Sequence, residues 1–197
     1  VAASRHVLVE KPITSTLADG ERLVALAEAK GVILQVGHVE RFNPVFNYLE
    51  TVATQPRFIE THRLSPYPAR STDIGVVLDL MIHDLDVVLA FVKSPVRSVD
   101  AVGIPVLGKS EDIANARIEF ANGAIANVTA SRVSTTPQRR FRVFQPNQYV
   151  SIDFGSGEVR RVTKHGDWRE GGAPLREETW NLEKGDALLA ETQAFVA

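Results

Sequence analysis

Residues 7–37 read VLVEKPITSTLADGERLVALAEAKGVILQVG, and this stretch decides the fold. Val7-Leu8-Val9 is a short apolar run stopped by Lys11-Pro12, which predicts a strand ending in a turn. Thr14, Ser15 and Thr16 offer N-caps for a helix from Leu17 to Lys30, where Leu23, Leu26, Ala27 and Lys30 keep helical spacing. Gly31 suits the left-handed residue that follows a helix end. Val32 to Val36 then makes a second strand, closed by Gly37. Strand, helix and strand at this length form a βαβ unit with parallel pairing and a right-handed crossover. The beginning of the chain therefore reads as the last piece of a doubly wound sheet.

Beyond Gly37 the texture changes. Asn43-Pro44 starts a helix to about Thr54, with Pro44 suited to the first turn. Arg57–Leu64 is a predicted strand, residues 65–72 a Pro-containing loop, and Val77–Val92 a strongly apolar helix. Strands follow at 96–106, 112–120, 123–133, 139–145, 148–154 and 157–164, then a loop at 166–172 and a helix at 187–196. Asn122-Gly123 is a strong hairpin signal. The alternation of Ala114, Ala116, Ile118 and Phe120 gives one strand a buried face, as in an antiparallel sheet. The fold class is thus α/β plus α+β: a C-terminal Rossmann remnant over 1–38, then a mainly antiparallel open-sheet domain over 39–197. The opening Val1-Ala2-Ala3-Ser4-Arg5, without an initiator Met, suggests a piece of something longer, and the last helix stops abruptly.

The chain has 197 residues, 44% hydrophobic and 23% charged, with a net charge of -2. That balance gives no general attraction to nucleic acid. The pairs Arg139-Arg140 and Arg160-Arg161 read as solvated strand faces. No apolar run approaches the ~20 residues needed to cross a bilayer, and no signal pattern opens the chain. A cytoplasmic protein without membrane contact is the expectation. Cysteine is absent, which excludes disulfides and thiolate chemistry.

Three constellations can carry chemistry. Glu10-Lys11-Pro12 lies at the carboxyl end of a parallel strand, where open α/β sheets place their ligands. Asp79 and His83 sit four apart in a helix apolar nearly all round, and buried ionisable groups need partners or a task. An Asp near a His can orient the imidazole and favour its protonated form for proton transfer. A metal site from Asp79, His83 and Asp86 is geometrically conceivable, without a clear ligand set elsewhere. Residues 37–44, GHVERFNP, follow the second parallel strand and can present Arg41 and Asn43 to a ligand. Arg63, leaving its strand, is suited to an anionic substrate, and His62 and Arg70 add cations nearby. Gly155-Ser156-Gly157 is the only G-x-G and precedes strand-like residues, so it is no phosphate loop.

Glu10-Lys11-Pro12, the block from Gly37 to Pro44, and Gly75-x3-Asp79-x3-His83, taken in order, closely resemble the glucose-fructose oxidoreductase / inositol dehydrogenase / MocA (Gfo/Idh/MocA) family. The wording His62-Arg63-Leu64 and Asp73-Ile74-Gly75-Val76-Val77-Leu78-Asp79-Leu80 is most similar to its branch that oxidises UDP-N-acetylglucosamine at C3, which serves lipid A and related surface sugars. The resemblance implies an NAD(P)-dependent oxidation of a secondary alcohol of a sugar or nucleotide sugar, with NAD placed ahead of NADP. It implies catalytic roles for Lys11, His83 and Asp79, cofactor contacts from Glu10, Lys11 and Pro12, substrate contacts from His38, Arg41, Asn43 and Arg63, and no metal. It further implies a Gly-rich front end of on the order of 90 residues, about three β–α units, ahead of Val1. It also implies a homo-oligomer built through the antiparallel sheet, whose outward residues are expected to include Ile125, Val128 and Val143. Two other classes remain open: a non-catalytic sugar-nucleotide binding or dimerisation module, and a metal-dependent sugar isomerase or lyase.

Overall fold

The computed structural model describes residues 1–67, 74–167, 172 and 174–197. Arg70, Asp73 and most of the expected 166–172 loop lie outside the described residues. The βαβ unit forms as its sequence dictates: β1 (Val7–Glu10) and β2 (Leu34–Gly37) pair in parallel across α1 (Leu17–Lys30). The Thr16 hydroxyl accepts the Asp19 N–H at 3.2 Å, satisfying one of the donors left free at a helix start. Gly31, at φ 60°, closes the other end by returning its N–H to Ala27.

A 3-10 turn (Val39–Phe42) and α2 (Pro44–Val52) lead into β3 (Phe58–Leu64). A π-helical turn (Val77–Met81) then runs directly into α3 (Ile82–Val92). The remaining strands are β4 (Val96–Ile104), β5 (Ile113–Phe120), β6 (Ile125–Ser131), β7 (Gln138–Gln145), β8 (Gln148–Asp153), β9 (Glu158–Lys164) and β10 (Leu175–Asn181). Helix α4 (Ala187–Val196) packs over the 3-10 turn. The sheet order is β10-β9-β8-β7-β3-β6-β5-β4, antiparallel throughout except for β3 against β6. Strand β3 thus sits mid-sheet, and residues at its carboxyl end share one end of the sheet with the carboxyl end of β6 and the start of β7.

Only one sheet face carries α2 and α3. Ile59, Ala126, Val128, Phe141, Val143, Val150 and Ile152 project into it, against Phe46 and Leu49 of α2 and Val87, Val88 and Phe91 of α3. Phe91 links the layers, with ring centroids 4.9 Å from Phe46 and 6.4 Å from Phe141. Val128 and Val143 are therefore core residues, not outward ones as expected from sequence. Val128 pairs in register with Ala116, which fixes its side to that of the buried alternation in β5. Ile125 does lie on the opposite face, beside Asn127 and Thr129. Strand β10 was also missing from the expected pattern, because LREETWN is too charged to read as a strand. It forms as an edge, where Arg161 meets Glu178 at 2.7 Å and stacks over Trp180 at 5.4 Å.

The Asn122-Gly123 turn joins β5 to β6 as the dipeptide demands, with Gly123 at φ 83° and nothing within reach of an added Cβ. Its only barrier to side chains is the left-handed backbone. Gly123→Ala should accordingly lower stability by about 1–2 kcal/mol in urea unfolding, without changing the fold.

Candidate functional site

The site gathers where the carboxyl end of β1 meets the π turn. Lys11 follows β1 directly and its peptide bond to Pro12 is cis. Its Nζ donates to the Asp79 carbonyl at 2.6 Å and reaches the Asp79 carboxylate at 3.3 Å. The two groups lie 68 residues apart in sequence, so this contact joins the βαβ unit to the sheet domain. Asp79 sits within the π turn, where Ile82 donates its N–H to the Val77 carbonyl five residues back. That wider turn changes the sequence expectation. Asp79 serves Lys11, and no hydrogen bond links it to His83 among the described residues. The expectation that Asp79 orients and protonates His83 is corrected on this point.

His83 stands at the start of α3, with its Nδ1 enclosed and without a hydrogen-bond partner. Burial pushes its pKa down to about 3, and the positive charges of Arg63, Lys11, His38 and Arg139 add to the shift. The imidazole is neutral at neutral pH, contrary to the protonated form expected from sequence.

Arg63 is also not where an incoming anion can use it. Only 4% exposed, it donates through Nε and Nη2 to both Asp84 oxygens, at 3.1 and 2.9 Å, and through Nη1 to Glu40 at 3.0 Å. Asp84 and Glu40 take three of its five N–H donors and the guanidinium is enclosed, so the structure places Arg63 in a buried ion triad where a substrate contact was expected. Asn43 is similarly committed. Its Oδ1 accepts the Val45 N–H at 3.0 Å to cap α2, and its Nδ2 donates to Glu40 at 3.2 Å. This placement removes Asn43 from the expected substrate contacts.

Two expected residues do stay at the rim. Arg41 is half-exposed and forms a bidentate pair with Asp86 at 2.7 and 2.6 Å. His38 lies 3.7 Å from the same carboxylate. Glu10 is exposed and packs across the Gly37 backbone, where an added Cβ would meet its carboxylate at 2.9 Å. His62 projects to the opposite sheet face, 3.4 Å from Arg142. Asp79 and Asp86 thus serve different cations, and no cluster of three His, Asp or Glu suited to a metal occurs among the described residues.

Beside Lys11 and Asp79 opens a largely apolar groove of about 660 Å³, with Pro12, Ile13, Leu17, Val24, Leu78 and Ile82 among its walls. Pro12, next to Lys11, and Leu78, next to Asp79, bring this groove up to the bridge. The start of the π turn is held by residues the sequence did not flag. Arg132 donates to the Ile74 carbonyl at 2.7 Å and pairs with Asp112 at 2.6 Å. Glu111 accepts the Val76 N–H through its carbonyl at 3.0 Å, and its carboxylate fills the space a side chain on Gly75 would enter, so such a side chain would have to displace it. Nothing in a linear reading names Glu111 as the neighbour.

Residues 1–38 match the oxidoreductase family with an NAD-binding Rossmann fold, and residues 49–147 match the GFO/IDH/MocA C-terminal domain. The chain is 36% identical over 195 residues to UDP-N-acetylglucosamine 3-dehydrogenase of Acidithiobacillus ferrooxidans, covering 98% of this chain and 62% of that protein. The solved structure of that enzyme superposes with a TM-score of 0.86 over 97% of this chain and 60% of its own. The myo-inositol 2-dehydrogenase of Thermotoga maritima is 29% identical over 98% of this chain and 62% of its own length. Levoglucosan dehydrogenase, solved with NADH, shares the fold at a TM-score of 0.78 and 17% identity. The chain therefore spans about 60% of the length of these relatives.

The triad and His83 make two measurable demands. Arg63→Met leaves two buried carboxylates unpaired and should cost about 3–5 kcal/mol in urea unfolding. Between pH 6.5 and about 3 the unfolded chain takes a proton at His83 that the folded chain refuses. Stability from this group is full above pH 6.5 and falls on acidification, by up to about 1.4 kcal/mol per pH unit. His83→Gln should flatten that part of the pH–stability curve relative to the parent protein.

Proposed function

The chain belongs to the Gfo/Idh/MocA oxidoreductase family, and from that premise we propose that it forms the catalytic part of an NAD(P)-dependent sugar dehydrogenase. The observation that carries the reading is the Lys11–Asp79 bridge at the carboxyl end of a parallel strand, one turn before His83. Residues 1–38 belong to the dinucleotide-binding unit in this reading, and residues 39–197 to the substrate-binding and oligomerisation unit. The finer assignment is oxidation of UDP-N-acetylglucosamine at C3, with NAD as the cofactor ahead of NADP. Its support is the identity to the Acidithiobacillus ferrooxidans enzyme along nearly all of this chain.

The residues divide the work between binding and proton transfer. A bound nicotinamide supplies the hydride acceptor. Glu10, Lys11 and Pro12 would hold it at the carboxyl end of β1. Lys11 spends two of its three donors on Asp79, leaving one N–H for the substrate hydroxyl. His83 is neutral and takes the hydroxyl proton. Its Nδ1 is enclosed, so Nε2 is the nitrogen that meets substrate. Asp79 acts through Lys11, by fixing the ammonium in place. His38 and Arg41 form the rim that the substrate crosses. The uncovered sheet face carries Phe58, Phe144 and Tyr149 in ring contact, at 5.5 and 4.8 Å between centroids, and offers a surface for a second copy.

The polypeptide of the complete reading frame that contains this chain is the material for the test. Incubated with NAD and UDP-N-acetylglucosamine, it should reduce the cofactor and yield a C3 carbonyl by NMR. A carbonyl at C4 or C6, or activity confined to free sugars, overturns the substrate while leaving the dehydrogenase. Lys11→Met and His83→Ala should each lower turnover by about 10²-fold or more, the scale of lost acid–base catalysis. Asp79→Asn should do less. Near-parental turnover in both of the first two variants removes them from the chemistry. Light scattering should show an oligomer at micromolar concentration, and a stable monomer rules out the sheet-mediated assembly.

A further inference from the structure

We propose that Arg139 holds the anionic part of the substrate, a phosphate or diphosphate ester, beside His83. The inference rests on the sugar-dehydrogenase reading above and deepens it.

Arg139 opens β7, and its face follows from its strand. Phe141 and Val143, two and four residues on, are buried in the core, so Arg139 projects to that same side. It pairs in register with Arg63 of β3, and adjacent strands lie about 4.8 Å apart. Two guanidinium groups therefore start side by side at the end of the sheet nearest the π turn. Arg63 is buried, whereas Arg139 is exposed at the margin of the helical cover. Its charge acts on both His83 and Asp84, which puts it within electrostatic range of the proton-transfer group.

The carboxylates that Arg139 could have used are already taken. Both Asp84 oxygens accept from Arg63, and Glu40 is shared between Arg63 and Asn43. Asp153 points Oδ1 at the Gly155 and Ser156 amides, at 2.9 and 2.8 Å, to build the turn between β8 and β9. Its Oδ2 accepts from the backbone N–H of Arg139, not from the guanidinium. Among the described residues the Arg139 side chain has no hydrogen bond and no ion pair. A planar group with five N–H donors, on the covered face of the sheet beside Arg63 and unsatisfied by protein, matches a phosphate oxygen pair. Arg41, the other exposed arginine at the site, is already paired bidentately with Asp86.

The test is Arg139→Gln in the polypeptide of the complete reading frame, with Arg140→Gln, whose side chain belongs to the opposite sheet face, as the control. Calorimetry with UDP and with inorganic pyrophosphate should show affinity falling by about ten-fold or more in Arg139→Gln, one charged hydrogen-bond pair. Arg140→Gln should bind as the parent does, and Arg139→Lys should recover part of the loss. In turnover, KM for the UDP-sugar should rise while kcat stays within about three-fold, since binding and not proton transfer is lost. Unchanged UDP affinity and KM in a folded Arg139→Gln variant overturn the proposal while the dehydrogenase stands. Pyrophosphate binding that depends on Arg139, in an enzyme that oxidises only neutral sugars, keeps the anion site and overturns the nucleotide-sugar assignment instead.

Discussion

A guanidinium enclosed in protein must have its charge and its donors met, and the architecture is organised around one that is. Arg63 rises from the middle of the sheet and binds Asp84 on α3 and Glu40 on the 3-10 turn in a single fork. Breaking either contact strands a buried charge, so the three elements have little freedom to slide past one another. Asp84 adjoins His83, and Glu40 lies between His38 and Arg41. Fixing the two acids therefore fixes the residues that line the cleft. Asn43 extends the constraint by joining Glu40 to the first turn of α2.

The Lys11–Asp79 bridge completes the joint from the other side. Here the π turn matters more than the sequence motif suggests. It lets the chain present Asp79 through both its carbonyl and its carboxylate to one ammonium group. π turns tend to mark functional positions, because they cost helix regularity and persist where a side chain must be displaced. The outer end of the turn is pinned by Arg132 on the Ile74 carbonyl and by Glu111 on Val76, with the Glu111 carboxylate lying over Gly75. The lysine's position is thus decided by contacts spread from β1 to the end of β6.

What the sequence makes legible follows from how local each cause is. The βαβ unit depends on a cap at Thr16, a left-handed Gly31 and helical spacing between them, all readable within one window. The β5–β6 hairpin depends on Asn122-Gly123 and is equally plain. Partnership between distant charges is not local. Arg63 and Asn43 have the residue types of ligand contacts, and only the fold shows that Asp84, Glu40 and the α2 amide claim them. The spacing of Asp79 and His83 implies one shared face only if the helix is α-helical there, and it is not. The sides of Val128 and Val143 went unread for a related reason. A period of two gives two faces but does not say which one the helices will cover. Arg139-Arg140 shows the same limit within two residues, since one member faces the cleft and the other the bare side of the sheet.

His83 brings these threads together. The base role proposed for His83 needs an unprotonated imidazole, and burial together with the neighbouring Arg63, Lys11 and Arg139 favours that state. The same surroundings make it a poor proton acceptor, because each nearby positive charge opposes the imidazolium that acceptance creates. An anion seated on Arg139 offsets one of those charges. It would raise the basicity of His83 only when a charged substrate is in place, and leave it suppressed when the cleft holds a neutral sugar. Burial, the largest cause of the shift, is untouched by such an anion, so charge on Arg139 would ease the suppression without removing it.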